Sequence, residues 1–166
     1  MIQFVLLLAL LLGSSALAAG PSNPATAGPL LSPLSILEIM RAAIEIPADG
    51  LWAAQGNDKW SEDDWLLADQ DAVQLIGATT LVSRGGTGKH DHEWTAKTDW
   101  QAWMRDMLKT AVTLRAAAKA QDAAKLSASA DHLQEICSAC HAKYRPAEPS
   151  DGVARYPFYP KRELAK

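Results

Sequence analysis

The sequence predicts an all-α protein, an antiparallel four-helix bundle. Three observations lead to this prediction. Four segments carry apolar residues at helical spacing, fairly short loops join them, and no window shows the sustained alternation of β-branched residues that marks a strand. Successive helices joined in this way pack side by side with alternating direction. The 166 residues are 48% hydrophobic and 21% charged, which suits one globular domain.

The first two predicted helices lie in the N-terminal half. Helix 1 is expected from about Ser35 to Ala54, with a kink at Pro47, because proline cannot donate a helical hydrogen bond. Helix 2 is expected over about 61–83, with Ser61 as its N-cap. The apolar faces predicted for them are Ile36, Leu37, Met40, Ile44, Pro47 and Leu51 for helix 1, and Trp65, Ala72, Val73, Ile76 and Thr80 for helix 2.

Two further helices follow a polar loop over about 84–97. Helix 3 is expected from about Thr98 to Ala120. Helix 4 is expected to begin after Asp122, a good N-cap, and to end near Arg145, since Pro146 disfavours continuation. The inward faces predicted for them are Trp100, Trp103, Met107, Ala111 and Leu114 for helix 3, and Leu126, Ala130, Leu133, Cys137, Cys140 and Tyr144 for helix 4.

The N-terminal residues 1–19 have the pattern of a secretory signal peptide. An unbroken apolar run, Phe4–Leu12, is followed by small residues, and we expect cleavage near Ala18 or Ala19. An uncleaved anchor is the alternative, because no Lys or Arg precedes the apolar run. The run is nevertheless short for a membrane span, and no later segment is apolar enough for one. We therefore expect an exported, periplasmic protein without a stable membrane span after cleavage.

Two further segments flank the predicted helical domain, which covers residues 34–146. Residues 20–33 form a proline-rich linker. Residues 147–166 form a C-terminal tail with three aromatic residues and a basic end. The tail is either frayed or a docking segment, since three aromatic side chains so close together seldom stay in water without a partner.

The net charge, the cysteine content and the absence of several motifs argue against some classes of function. The net charge is −3, without the basic bias of a nucleic-acid-binding protein, so we expect no nucleic-acid partner. The two cysteines allow at most one disulfide bond. No Ser-His-Asp order, phosphate-binding loop or H-E-x-x-H motif is present, so we see no hydrolytic or phosphoryl-transfer chemistry.

The most informative motif is Cys137-Ser138-Ala139-Cys140-His141 in helix 4. Thiols three residues apart on a helix share one face. They can add to the two vinyl groups of a haem and form thioethers, and the following histidine can give a nitrogen to the iron. C-x-x-C-H is the attachment sequence of c-type haem.

Three other interpretations of the motif fit the sequence less well. A thioredoxin-like redox pair belongs near a βαβ pattern, which this sequence lacks. A structural zinc site needs four ligands, and only His90 or His92 could supply a distant fourth. A disulfide bond explains neither the spacing nor the histidine. We therefore favour haem.

The signal peptide, the four helices and a single C-x-x-C-H near the C-terminus, continued through Tyr144 and Arg145, resemble cytochrome c′ and its class II relatives. The resemblance implies one covalent haem c on Cys137 and Cys140, with His141 as the axial ligand. It implies a role for Arg145 beside His141 or a haem propionate. It also implies electron transfer or diatomic-gas binding in the periplasm, with redox partner proteins and a possible homodimer.

The second axial position is left open by the sequence. In the family the first helix covers this side of the iron, and the residue there is either apolar or a ligating methionine. Met40 is the only methionine of helix 1, so it is either the sixth ligand or a core residue. Met104 and Met107 are weaker candidates. Without a bound methionine, Leu37 or Ile44 would guard an open site.

We expect an electron carrier and not an enzyme. The alternative is a five-coordinate haem protein that binds NO or CO. Peroxidase chemistry usually needs polar distal groups, and Arg41 is the only such residue near the expected position. The pair His90 and His92 is interpreted as part of a solvated loop, and His132 as an exposed structural residue.

Overall fold

The computed structural model describes residues 32–145. The helices are α1 (Ile36–Ile39), a π-helical turn (Met40–Ile44), α2 (Glu45–Ala54), α3 (Glu62–Arg84), α4 (Asp91–Thr95), α5 (Thr98–Ala120) and α6 (Ala123–Tyr144). The first three follow one another without a break and are called here the N-terminal helix. The described segment contains no strand. The predicted signal peptide, most of the linker and the C-terminal tail lie outside the described residues.

The four long helices form an antiparallel bundle, as predicted. Each long helix packs against the next, and α2 also packs against α6, which closes the ring. Side-chain hydrogen bonds show the alternating direction. Near the end of α2, the Trp52 indole donates to the Ala130 carbonyl oxygen in the first half of α6 at 3.0 Å. Asp69 near the start of α3 pairs with Arg115 near the end of α5 at 3.2 Å.

Capping residues set the ends of the helices. Ser61 and Asp64 form a reciprocal capping box at the start of α3. The Asp122 side chain accepts from the Lys125 N–H at the start of α6. The predicted limits of α3, α5 and α6 are confirmed to within one residue. They could be predicted because the capping contacts are local in sequence.

The bundle core contains leucine, isoleucine, methionine and tryptophan side chains and many alanines. The small size of the alanines lets the helices approach closely. Leucines from four helices are fully buried: Leu51, Leu75, Leu114, Leu126 and Leu133. Full burial of such a side chain stabilises the fold by about 1.5–3 kcal/mol. None of the described helices is long and apolar enough to cross a membrane.

The predicted loop over 84–97 contains the short helix α4, so the prediction of an irregular loop is wrong there. The buried carboxylate of Asp91 explains why this segment folds. It accepts a hydrogen bond from the Ile36 N–H at 2.9 Å and from the Gly88 N–H at 2.8 Å. It thereby ties α4 to the start of the N-terminal helix across 55 residues of sequence.

Two predicted apolar faces are partly wrong. Val73 is 44% exposed on α3 and Leu37 is 41% exposed on α1. In α3 the core residues instead follow steps of three and four residues from Trp65: Ala68, Ala72, Leu75, Thr79 and Val82. In α1 it is Ile39 that enters the core. Neighbouring helices decide which side of a largely apolar helix faces inward, and local sequence does not record their positions.

The irregularity of the N-terminal helix precedes Pro47. A kink was predicted at Pro47, whereas the structure has a π-helical turn that ends at Ile44, three residues earlier. The N–H of Glu45 there bonds to the carbonyl oxygen of Met40, five residues back. Such turns occur frequently at functional sites.

Candidate functional site

A cleft lies between the N-terminal helix and the second half of α6, with one wall residue from α5. It encloses about 950 Å³, a volume that includes open solvent at its mouth. All five residues predicted from the sequence as site residues line it: Met40, Cys137, Cys140, His141 and Arg145. The structure therefore brings the predicted site residues together, across about 100 residues of sequence between Met40 and the motif.

Both cysteines lie on α6, and they differ in how deeply they are buried. Cys140 is buried and Cys137 is half-buried, and both are free thiols. Burial raises the pKa of Cys137 to about 11 and that of Cys140 to about 12. Both groups are therefore protonated at neutral pH, whereas redox-active C-x-x-C pairs depend on a lowered thiol pKa. The interpretation as a thioredoxin-like pair does not fit this site.

His141 follows directly and is half-buried. Burial, and then the positive charge of Arg145, lower the pKa of its imidazole. At neutral pH the ring is neutral, the form that binds a metal. Its Nδ1 atom is buried without a hydrogen-bond partner. Two neutral thiols, a neutral imidazole with an unsatisfied buried nitrogen, and an adjoining cleft fit a haem held by two thioethers and one histidine.

A zinc site does not fit. No group of three or more His, Cys, Asp or Glu side chains in residues 32–145 is arranged to hold a metal ion. His90 lies at the start of α4, where it stacks on Trp94 with ring centroids 5.9 Å apart and faces Glu93. His92 lies on the exposed side of α4.

The opposite wall of the cleft is formed mainly by the N-terminal helix. Met40, Arg41 and Ile44 come from the π turn, and Ala48 and Trp52 from α2. Trp52 was not singled out among the six tryptophans as a cleft residue. Its position depends on the hydrogen bond to α6, and no local sequence signal indicates this contact.

The structure shows which of the other candidates for the second axial position, besides Met40, line the cleft. Met104 and Met107 are both buried in the core, and only Met107 of the two also lines the cleft. Ile44 lines the cleft and is buried. Leu37 is not part of the wall, so of the two predicted alternatives, Leu37 and Ile44, only Ile44 lies at the cleft.

An anchor for the end of α6 was missed in the sequence. The Tyr144 hydroxyl donates to Asp99 at 3.0 Å, and the Lys143 ammonium pairs with the other oxygen of the same carboxylate. The Lys143 contact lowers the pKa of Asp99. Burial, and then Asp99, raise the pKa of Tyr144 to about 12. From the sequence, Asp99 is only an acidic residue in the first turn of a helix, a common position that does not indicate a contact with Tyr144.

An antiparallel helical bundle whose last helix presents C-x-x-C-H to a cleft is typical of a class of haem-binding helical proteins. Residues 74–145 match the family model described as Cytochrome C′. Over these residues, which include about half of α3, all of α5 and α6 and the whole motif, the chain is similar to the cytochrome c′ family. The family points to a haem c-type cytochrome. No curated protein and no solved structure matches the chain.

Proposed function

We propose that this protein is a periplasmic monohaem c-type cytochrome that transfers single electrons. One observation carries the proposal: Cys137, Cys140 and His141 line one cleft, and Met40 lines the same cleft from the opposing helix. Thiols that can form thioethers and two side chains that can bind iron thus surround one space. A bound haem supplies exchange of one electron between Fe(III) and Fe(II).

The residues of the motif have distinct roles in this proposal. Cys137 and Cys140 hold the group covalently, so that it stays attached during export and electron exchange. His141 gives its neutral imidazole to the iron. The half-buried position of His141 excludes part of the solvent, and burial and ligand identity together set the reduction potential.

Arg145 lies one helical turn beyond His141 and lines the same cleft. Its charge contributes to the lowered pKa of the imidazole. A guanidinium at this position favours an anionic group beside it, such as a carboxylate of the bound group. We therefore propose that Arg145 orients the propionate edge and tunes the charge of the site.

Gas binding is the second candidate. Ile44 presents a buried apolar side chain in the wall that also holds Met40. An apolar residue over the iron would leave one coordination position open to NO or CO. Electron transfer requires Met40 as a ligand in this proposal, and gas binding requires that Met40 stay unbound.

The location and the partners follow from the same proposal. The apolar residues 1–19 would direct export to the periplasm, where redox partner proteins would exchange electrons with the site. A homodimer is a further part of the proposal, taken from the resemblance to the family.

The first experiment is the absorption spectrum of the mature protein, ferric and ferrous, with and without carbon monoxide. The protein is produced in a host with c-type maturation. A low-spin ferrous spectrum that carbon monoxide does not change supports the electron carrier. A high-spin spectrum that carbon monoxide shifts supports gas binding.

Two variants serve as controls. Met40→Leu should convert the first spectrum into the second, because leucine has a similar volume and no ligand atom. The double variant Cys137→Ser, Cys140→Ser should release all haem on denaturation. Native protein that carries no haem at all would overturn both candidate functions.

A further inference from the structure

The π turn at Met40–Ile44 occupies the wall of the cleft. In a π turn the hydrogen-bonded residues are five positions apart in the chain, whereas in an α-helix they are four positions apart. One extra residue is thus accommodated in the turn. Each residue of an α-helix rotates the chain by about 100° around the helix axis. The extra residue therefore rotates the segment before the π turn and changes which of its side chains face the core.

The spacing of the buried residues in the N-terminal helix shows this rotation. Ile36, Ile39, Ile44, Ala48 and Leu51 are all in the core, and their successive steps are three, five, four and three residues. In an uninterrupted α-helix, a step of five residues would leave the two side chains about 140° apart. Ile39 and Ile44 therefore share the core because of the π turn.

The same rotation determines the position of Met40. In an uninterrupted α-helix, Met40 would lie four residues before Ile44 and hence on the core side, together with Leu37. Ile39 would then face away from the core. The structure has the reverse arrangement: Ile39 is 1% exposed, Leu37 is exposed, and Met40 is half-buried in the cleft wall.

Contacts at both ends keep this rotation in place. At the start, the Ile36 N–H donates to Asp91 at 2.9 Å. At the other end, Trp52 donates to Ala130 and the Gln55 amide donates to the Ser127 carbonyl oxygen at 3.0 Å. Pro47, just beyond the turn, has no N–H to offer the preceding turn, which lowers the cost of departing from the α-helical pattern.

We propose that the π turn is a positioning element that moves Met40 out of the core and into the cleft, where its thioether becomes the sixth iron ligand. The inference rests on the proposed electron-transfer function. Ile39 fills the core position that Met40 would otherwise occupy. The register of the N-terminal helix, together with the presence of a methionine, thus decides the coordination of the iron.

Two matched variants test the register. In the observed arrangement, with the π turn, Ile39→Gln places an amide in the core. In an uninterrupted α-helix the same amide would lie at the surface, so the substitution favours the uninterrupted α-helix. Met40 should then leave the cleft, and the ferrous spectrum should become fully responsive to carbon monoxide. Leu37→Gln makes a comparable change at a side chain that is exposed in the structure, and it should leave the spectrum unchanged.

Deletion of the exposed Ala42 is the second test. It leaves a step of four residues between Ile39 and Ile44, so an ordinary α-helix keeps Ile39 in the core and Met40 at the cleft. The spectrum should match that of the native protein, with helix content by circular dichroism as the folding control. Loss of the low-spin spectrum in the folded deletion variant would overturn the proposal, as would a native spectrum that already responds to carbon monoxide.

A measurement without haem separates this proposal from the proposed function. In the full chain produced without haem, a soluble paramagnetic reagent should broaden the NMR signal of the Met40 methyl group, while the signal of Met104, which is buried in the core away from the cleft wall, is spared. Ile39→Gln should protect the Met40 methyl, and Leu37→Gln should not. Equal broadening in both variants contradicts the positioning of Met40 by the π turn. Failure of the native chain to acquire haem contradicts the proposed function and the role of Met40 as a ligand, but not that positioning.

Discussion

The Tyr144 hydroxyl donates a hydrogen bond to the Asp99 carboxylate at 3.0 Å and so ties the last turn of α6 to the first turn of α5. Tyr144 lies three residues beyond His141, in the helix that carries the C-x-x-C-H motif. Three indole rings surround the tyrosine, with the ring centroid of Trp100 closest at 4.9 Å. This contact therefore holds the end of the motif helix against the bundle.

Removal of the Tyr144 hydroxyl tests this anchor. Tyr144→Phe keeps the ring contacts and loses one hydrogen bond to a charged acceptor, which should lower the free energy of unfolding by about 1–2 kcal/mol. The shift is measured as a lower denaturant midpoint with an unchanged slope. Val112→Ala, at an exposed position of α5, is the control and should shift the midpoint less. Equal midpoints for Tyr144→Phe and the native protein would show that the bond contributes nothing.

The contacts of His132 predict a pH-dependent contribution to stability. Its imidazole lies 3.1 Å from Glu135 and 3.3 Å from Asp106 on α5, and these carboxylates, Glu135 first, raise its pKa. Because the folded pKa is above the unfolded value, the contribution is fully present below the unfolded pKa, near 6.5. It is lost as the pH rises through the folded pKa.

His132→Gln should therefore destabilise the protein at pH 5 by less than about 1 kcal/mol, since the pair is exposed, and should have little effect at pH 9. Thermal unfolding at the two pH values measures the difference. His92→Gln, on the exposed side of α4, is the matched control. A larger loss at pH 9 than at pH 5 would contradict the prediction.

Two glycines should respond oppositely to alanine substitution. A Cβ atom at Gly86 would lie well inside van der Waals contact of the Leu34 backbone carbonyl oxygen, which must then move. Gly86→Ala should therefore lower the melting temperature and disturb the start of the N-terminal helix. A Cβ atom at Gly77, on α3, meets no atom within 4 Å. Gly77→Ala should raise stability by up to about 1 kcal/mol through helix propensity. Two changes of the same sign would contradict this account.

The two thioether positions can be separated by single substitutions. Cys137→Ser and Cys140→Ser should each leave one covalent bond to the haem, so that it stays with the denatured polypeptide in mass spectra. One vinyl group then remains conjugated with the ring, and the ferrous absorption bands should move to longer wavelength. Ser138→Ala, at an exposed position between the cysteines, should change neither property. Haem release from either single variant would contradict attachment through two bonds.

Much of the fold could be predicted because its signals are local. The capping box of Ser61 and Asp64 and the N-cap Asp122 satisfy backbone N–H groups within three residues, so they mark the helix ends directly. The spacing of Cys137, Cys140 and His141 likewise lies within one and a half turns of α6. For the same reason, the limits of α5 matched the prediction at both ends.

Other features could not be predicted because they depend on distant partners. α4 is held by Asp91, whose hydrogen bond to Ile36 joins segments 55 residues apart. Asp99 carries no distinctive local pattern, and only the packing of α5 against α6 brings it to Tyr144. The outward position of Val73 follows from the location of the neighbouring helices.

The sequence by itself determined the all-helical class, the ends of the long helices and the C-x-x-C-H motif, since each follows from hydrogen bonds and spacing within a few residues. Only the tertiary structure decided which side of the N-terminal helix faces the core. Both Met40 and Ile39 suit a buried position, and the choice between them depends on one π turn and on anchors at each end of the helix. The residue that faces the motif across the cleft is therefore a product of packing.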